Sequence, residues 1–157
     1  MKTFFLAIMV LFLFACDNNT VVAQGQDNVH DLTIISRDGK EHKFNVEIAI
    51  TSAEQSKGLM DRTHMDADKG MLFYFVEEGE RGFWMKNTLI PLDMIFIKAD
   101  GTIHRIHDSA KPNDLTSIRS EGPAIAVLEL NGGTAKALGI QAGDAVINSF
   151  FDNTGTE

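Results

Sequence analysis

Lys86, Asn87, Thr88 and Asp93 stand inside an otherwise apolar stretch, Phe83 to Ile97, beside Trp84, the only tryptophan of the chain. Polar groups buried among bulky residues must find partners or cost about 1–3 kcal/mol each. These four are therefore expected to form a fixed polar cluster. Lys86 and Asp93 flank an Asn-Thr-Leu-Ile-Pro connection. If the strands on either side pair, the two charges face each other near its base, as a structural ion pair or as the polar part of a ligand site. No nucleophile stands beside them, so the pair by itself is not a covalent catalyst. Trp84 either packs as core or, lining a groove, offers a flat face to sugar rings and cations. Arg62 closes the block Gly58-Leu59-Met60-Asp61-Arg62. It would hold a carboxylate or phosphate through two parallel hydrogen bonds, or serve as a structural salt bridge.

Glu129 alternates with Leu128 and Leu130 and so shares the Val127 face. That face is solvated in an open sheet, and in a barrel it becomes the cavity side. The candidate ligand surface is thus Arg62, Trp84, Lys86, Asn87, Thr88, Asp93 and Glu129. Two alternatives use parts of it. Asp93 and Glu129 would make a hydrolase acting on envelope glycan or peptide if their carboxyls stood about 5–10 Å apart in a cleft. Met60 and Met85, beside Trp84, would make a copper(I) site, because thioethers are soft ligands. Methionine is also an ordinary core filler. His104 and His107 lie three apart on an expected strand and point to opposite faces. No histidine spacing matches a zinc motif. Cys16 is the only cysteine, so the domain beyond it has no internal disulfide, thiolate nucleophile or sulfur-built zinc site. Neither a metal nor a cofactor is expected.

The N-terminus carries the location. Lys2 precedes an unbroken apolar run from Phe4 to Ala15. The run is shorter than the ~20 residues needed to span a bilayer, and it fits a signal-peptide core. Leu13-Phe14-Ala15-Cys16 looks like a bacterial lipoprotein box, in which Cys16 is lipidated and becomes the new N-terminus. Ordinary secretory cleavage after Val21-Val22-Ala23 is the alternative. Asp17 resembles the signal that keeps lipoproteins at the inner membrane. Export is expected in either case: to the periplasmic side of the inner membrane if lipidated, otherwise to the periplasm or medium. The expected organisation is a signal peptide over 1–16, a flexible tether over 17–31, one β-rich domain over 32–151 and a tail over 152–157. Removing residues 1–16 takes away Lys2 and no acid, leaving thirteen bases against twenty-two acids. An acidic surface argues against nucleic acid and against adsorption to anionic lipid. The expected partners are the membrane, through the lipid anchor, and a small ligand or an envelope protein.

Hydrophobic alternation sets out the elements. Leu32 to Ser36 and His42 to Ile50 flank Arg37-Asp38-Gly39-Lys40 as a hairpin, with Phe44, Val46, Ile48 and Ile50 on one face. Thr51-Ser52-Ala53-Glu54 is a capping box and opens a helix that should reach about Met60. Met71 to Val76 reads as a strand buried on both faces, and Glu77 to Glu80 as an acidic turn. Strands follow over Arg81 to Lys86, Leu92 to Ala99, Thr102 to His107, Ile125 to Leu130 and Ala145 to Phe150. Thr134 to Leu138 is one helical turn stopped by Gly139. Gly139 to Val146 resembles the helix-to-strand turn of PDZ domains, and is read as a structural turn. The fold class is mainly β, a sandwich or barrel of about eight short strands with one short helix near 52–60.

Three blocks also carry a family resemblance: Gly58 to Arg62 with Gly70-Met71-Leu72-Phe73; Phe83 to Ile97 with Asp100-Gly101-Thr102-Ile103; and Ala126 to Gly133 with Gly139-Ile140 and Gly143 to Val146. In these blocks the chain resembles the domain of unknown function 192 family over about residues 32–150. The resemblance implies a compact, mostly β single domain, and it implies no agreed activity.

Overall fold

The computed structural model describes residues 29–151 and Asn153. The expected signal peptide, Cys16, the first part of the tether and the rest of the tail lie outside the described residues. Seven strands and two short helices follow in the order β1 (Val29–Ile35), β2 (Glu41–Ala49), α1 (Ser52–Lys57), β3 (Lys69–Phe83), β4 (Leu92–Ile97), β5 (Ile103–Ala110), β6 (Ile118–Asn131), α2 (Thr134–Leu138) and β7 (Ala145–Ile147), with a 3-10 turn over Ser149–Phe151. Val29 to Asp31, expected in the tether, are the start of β1.

The strands form one sheet in the order β5-β4-β6-β3-β2-β1-β7. Neighbours pair antiparallel except β2 and β3, which run parallel because α1 carries the chain over between them. The sheet curls until its two edges touch. Thr102 pairs with Ala145, and Ile103 N–H donates to the Asp144 carbonyl at 2.9 Å. The architecture is thus barrel-like rather than a sandwich.

Curling creates two cores. The inner one collects apolar side chains from all seven strands, among them Leu32, Val46, Leu72, Ile95, Ile103, Leu128 and Val146, with Ala135 and Phe151 closing it. The outer one lies on the far face of β4, β6 and β3. There Phe73, Met94, Phe96 and Val127 are covered by Leu59, Met65, Met85 and Ile90 from two loops. β4 is therefore buried along its whole length.

The hairpin, the capping box and the helical turn stopped by Gly139 form as expected. Thr51 Oγ1 accepts from Glu54 N–H while the Glu54 carboxylate accepts from Thr51 N–H. α1 ends at Gly58, earlier than expected. Ile50 leaves the face it was expected to share, because β2 stops at Ala49 and Ile50 stands 49 % exposed. The expected turn at Glu77 to Glu80 is not a turn. It is the bulged middle of β3, which joins two expected strands into one and lowers the count to seven. Arg81 holds the bulge: its backbone N–H donates to Ser120 Oγ at 2.9 Å, its Nε to the Ala124 carbonyl at 3.0 Å, and its guanidinium also reaches the Glu77 carbonyl.

Asp93 ties three elements together. It is fully buried. One carboxylate oxygen accepts from the backbone N–H groups of Ser109 and Gly133 at 2.9 and 2.8 Å, and the other from Ala135 N–H at 2.8 Å. α2 has no side-chain cap of its own, so Asp93 supplies that cap from β4. Asp93→Asn would keep the acceptor for Ser109 and Gly133 but turn an amide N–H toward Ala135 N–H. Urea denaturation is expected to show a loss of about 2–3 kcal/mol.

Candidate functional site

The outer face of the three central strands positions the site. Antiparallel register sets Met71 of β3 and Met94 of β4 on either side of Glu129 of β6. Two residues along, on the same face, Phe73 and Phe96 flank Val127 in the same way. The covering loops seal most of this face, but over Glu129 they part. A cleft of about 330 Å³ opens there between α1 and the segment from Gly82 to Thr88.

Its walls are aromatic. Phe73, Phe75, Phe83 and Trp84 line it, with Glu129, Thr88 and the α1 residues Gln55, Ser56 and Lys57. Phe73 and Phe83 meet edge to face with ring centres 5.1 Å apart. Gly58 turns the chain over the Phe73 ring at φ 45°, where an added Cβ would come within 3.1 Å of the ring. The Gln55 amide nitrogen donates to the carbonyls of Ala49 and Tyr74 at 3.3 and 2.9 Å, fixing α1 onto the sheet.

Glu129 is 4 % exposed, and that remnant faces the cleft. Among the described residues no hydrogen bond or ion pair reaches its carboxyl. Burial pushes its pKa from the ordinary 4.5 up to about 8, with no opposing interaction. At neutral pH the carboxyl mostly keeps its proton.

The other expected site residues disperse. Arg62 grips Glu47 through two parallel bonds of 2.5 and 2.7 Å. That grip holds the Glu47 carboxyl below its ordinary range. Arg62 is thus a structural partner and does not line the cleft. Lys86 and Asp93 do not face each other. The expected strand over Arg81 to Lys86 ends at Phe83, so Lys86 lies in the turn after β3, and β6 runs between β3 and β4. Lys86 instead lies over the Trp84 ring, 5.4 Å from its centre. Asn87 takes a left-handed conformation at φ 52°, and its carbonyl accepts from Asp61 N–H at 2.8 Å. Thr88 is buried, donates to the Lys86 carbonyl at 3.2 Å and borders the cleft. Trp84 is not core: it stands 52 % exposed at the cleft wall.

Asp93 and Glu129 do not share a cleft either. Asp93 is in register with Leu130 and Met94 with Glu129, so the two carboxyls point to opposite faces of the sheet. Of the copper candidates, Met60 lines the cleft, whereas Met85 is fully buried in the outer core. The wall residues Phe73, Phe75 and Phe83 were not among the candidates. Phe73 and Phe75 share a strand face with Met71, and that alternation was the available signal.

The uncompensated burial of Glu129 has a measurable consequence. The unfolded chain releases this proton near 4.5 and the folded one near 8. Between those values folding takes up a proton, so stability falls as pH rises. The wild type is expected to lose a few kcal/mol from this group between pH 5 and pH 8. Glu129→Gln carries no such term. It should match the wild type near pH 5 and exceed it by roughly 3 kcal/mol at pH 7.5 in urea titrations. Equal stability at both pH values would mean that the carboxyl ionises in place without cost.

The comparisons with known proteins agree with the architecture. The model of the DUF192 family, described as Uncharacterized ACR, COG1430, matches residues 33–147. No curated protein matches the chain. Crystal structures do, among them the following two. One is a Sinorhizobium meliloti 1021 protein described as a candidate transcription regulator, 43 % identical, with a TM-score of 0.77, covering 78 % of this chain and 95 % of that one. The other is a Novosphingobium aromaticivorans DSM 12444 protein of unknown function, 44 % identical, with a TM-score of 0.73, covering 76 % of this chain and 84 % of that one. The curled β-sheet, the match over residues 33–147 and the two solved relatives place this chain in the DUF192 family.

Proposed function

We propose that this chain is an exported domain, held at the envelope membrane by a lipid on Cys16, that binds a small ligand without catalysis in the cleft above Glu129. One observation carries the ligand site. A carboxyl without a partner sits at the bottom of an aromatic cleft, on a sheet face that is otherwise sealed. Uncompensated buried acids lower stability, and pockets that combine apolar walls with a perturbed titratable group are the usual form of small-molecule sites.

The chemistry of the lining favours binding over hydrolysis. Among the described residues Glu129 is the only carboxyl that lines the cleft, and no histidine lines it. Glycoside hydrolysis by two carboxylates lacks its second group, and the serine and threonine hydroxyls lack a histidine base beside them. Transcriptional regulation, the description given to the Sinorhizobium meliloti relative, fits poorly with a formal net charge of −8. Affinity for nucleic acid comes mainly from lysine and arginine against phosphate. Among the described residues no helix is long and apolar enough to cross a membrane, so the anchor falls to the N-terminal segment.

Two measurements test the proposal. Thermal denaturation of the protein against metals, envelope glycan fragments, peptides, amines and anions should find a class that raises the melting temperature. At about a hundred times Kd the gain is roughly 2.7 kcal/mol, or several degrees. The shift should vanish in Glu129→Gln. A shift that persists in that variant would place the ligand elsewhere. Growth of the native host with labelled palmitate should label the wild type and not Cys16→Ala, which should move to the soluble fraction. Unlabelled wild type would favour cleavage after Ala23.

A further inference from the structure

Given that the cleft is a ligand site, its polar lining says which ligand. Among the described residues that line it, Glu129 is the only acid and Lys57 the only base. Lys57 is already held by Asp61, at 2.5 Å. Gln55 spends its amide N–H groups on the Ala49 and Tyr74 carbonyls, so the atom it has left to offer is an acceptor oxygen. The rings around the cleft already attract cations from the chain itself. The Arg81 guanidinium lies 4.0 Å from the centre of Phe75, and the Lys86 ammonium 5.4 Å from that of Trp84. Aromatic faces and one unpaired carboxyl together make a cation site. An anion would meet that carboxyl, and Lys57, the base on the described lining, is already held by Asp61.

We infer that the cleft binds the cationic end of a small organic amine or guanidine, with Glu129 as its counter-ion and Trp84 and Phe75 as its walls. The same chemistry is offered by a free amine and by a lysine or arginine side chain. A volume of about 330 Å³ fits a small molecule, at the lower end of the ~300–1,000 Å³ range of such sites.

Binding a cation then expels the Glu129 proton. The side chains packed around that carboxyl are mostly uncharged. β3 and β4 present Met71 and Met94 beside it, α1 presents Lys57 with Asp61 at the rim, and the Gly82–Thr88 segment presents Lys86 over Trp84. Below the Glu129 pKa, apparent affinity for a cation should therefore tighten about tenfold per pH unit.

The test is calorimetric titration of the full chain with three matched probes, 2-phenylethylamine, 2-phenylethanol and phenylacetate, together with a lysine-containing peptide and its acetylated form. The amine is expected to bind at least about tenfold tighter than the alcohol, and tighter still from pH 6 to pH 7.5. Glu129→Gln, whose fold is checked by its melting curve, should lose the preference. Trp84→Leu, at an exposed position, should weaken the amine severalfold. Binding of the unacetylated peptide in preference to the free amine would assign the cation to a side chain and support the same chemistry. An alcohol or acid that matches the amine, or a preference that survives Glu129→Gln, would overturn the cation assignment and leave the ligand site standing. No binding by any probe, with no shift in the wider thermal panel, would overturn the ligand site itself.

Discussion

The register of β6 between β3 and β4 decides both what the fold buries and what the site exposes. Leu128 and Leu130 turn into the inner core, and Val127 and Glu129 turn outward. A slip of one residue would exchange the faces, driving a carboxyl into a core built by all seven strands. Gly70 secures the alignment by letting β6 come close. A Cβ there would lie 2.7 Å from the Glu129 carbonyl and 2.8 Å from a Leu130 methyl. Asn131 clamps the end of β6, donating to the carbonyls of Met65 and Asp66 at 2.9 and 3.1 Å. These contacts fix Glu129 between two methionines, with only the cleft left to face.

Asp93 and Glu129 show how little burial alone says about a carboxyl. They stand on adjacent strands, one residue out of register. Asp93 accepts three backbone N–H bonds and serves as the knot between β4, β5 and α2. Among the described residues none donates to the Glu129 carboxyl. A buried acceptor with several donors stabilises the fold, whereas one without donors lowers its stability. The fold accounts for Asp93 completely. For Glu129 it accounts only for the position, and the proposed ligand in the cleft would supply the rest of the explanation.

The parts of this fold that were legible are those governed by local rules. The β1–β2 hairpin, the capping box at Thr51 and the glycine stop at Gly139 depend on neighbours within a few residues. Glu77 to Glu80 read as a turn because acidic residues and a glycine follow an apolar run. Arg81 keeps the segment extended through partners on β6 some forty residues away. Lys86 and Asp93 read as a pair because they are close in sequence, but β3 ends at Phe83, before Lys86, and β6 lies between β3 and the strand that carries Asp93. Glu129 read as solvated because alternation implies one dry face and one wet face. Here both faces of the central strands are covered, the outer one by loops with no periodicity to announce them. The cleft is a gap between those loops, so no single segment of sequence carries its signal.

The loops over the cleft are nevertheless held firmly, and this returns a role to the polar residues of the central block. Asp61 N–H donates to the Asn87 carbonyl at 2.8 Å, Asn113 N–H to the Thr88 carbonyl at 3.1 Å, and Met85 N–H to the Asp114 carbonyl at 2.8 Å. Asp61, Asn87 and Asn113 all sit at positive φ, near 64°, 52° and 59°. Aspartate and asparagine tolerate that region better than other side chains, and such residues gather where a loop must hold one shape. Asn87 and Thr88 therefore act on the cleft through its frame: they join the end of α1, the Trp84 wall and the loop after β5 into one piece. A frame ordered in advance would spare the proposed ligand the cost of ordering it. On the proposed reading the cost that remains is electrostatic, the ionisation of Glu129, and a ligand of opposite charge would meet it.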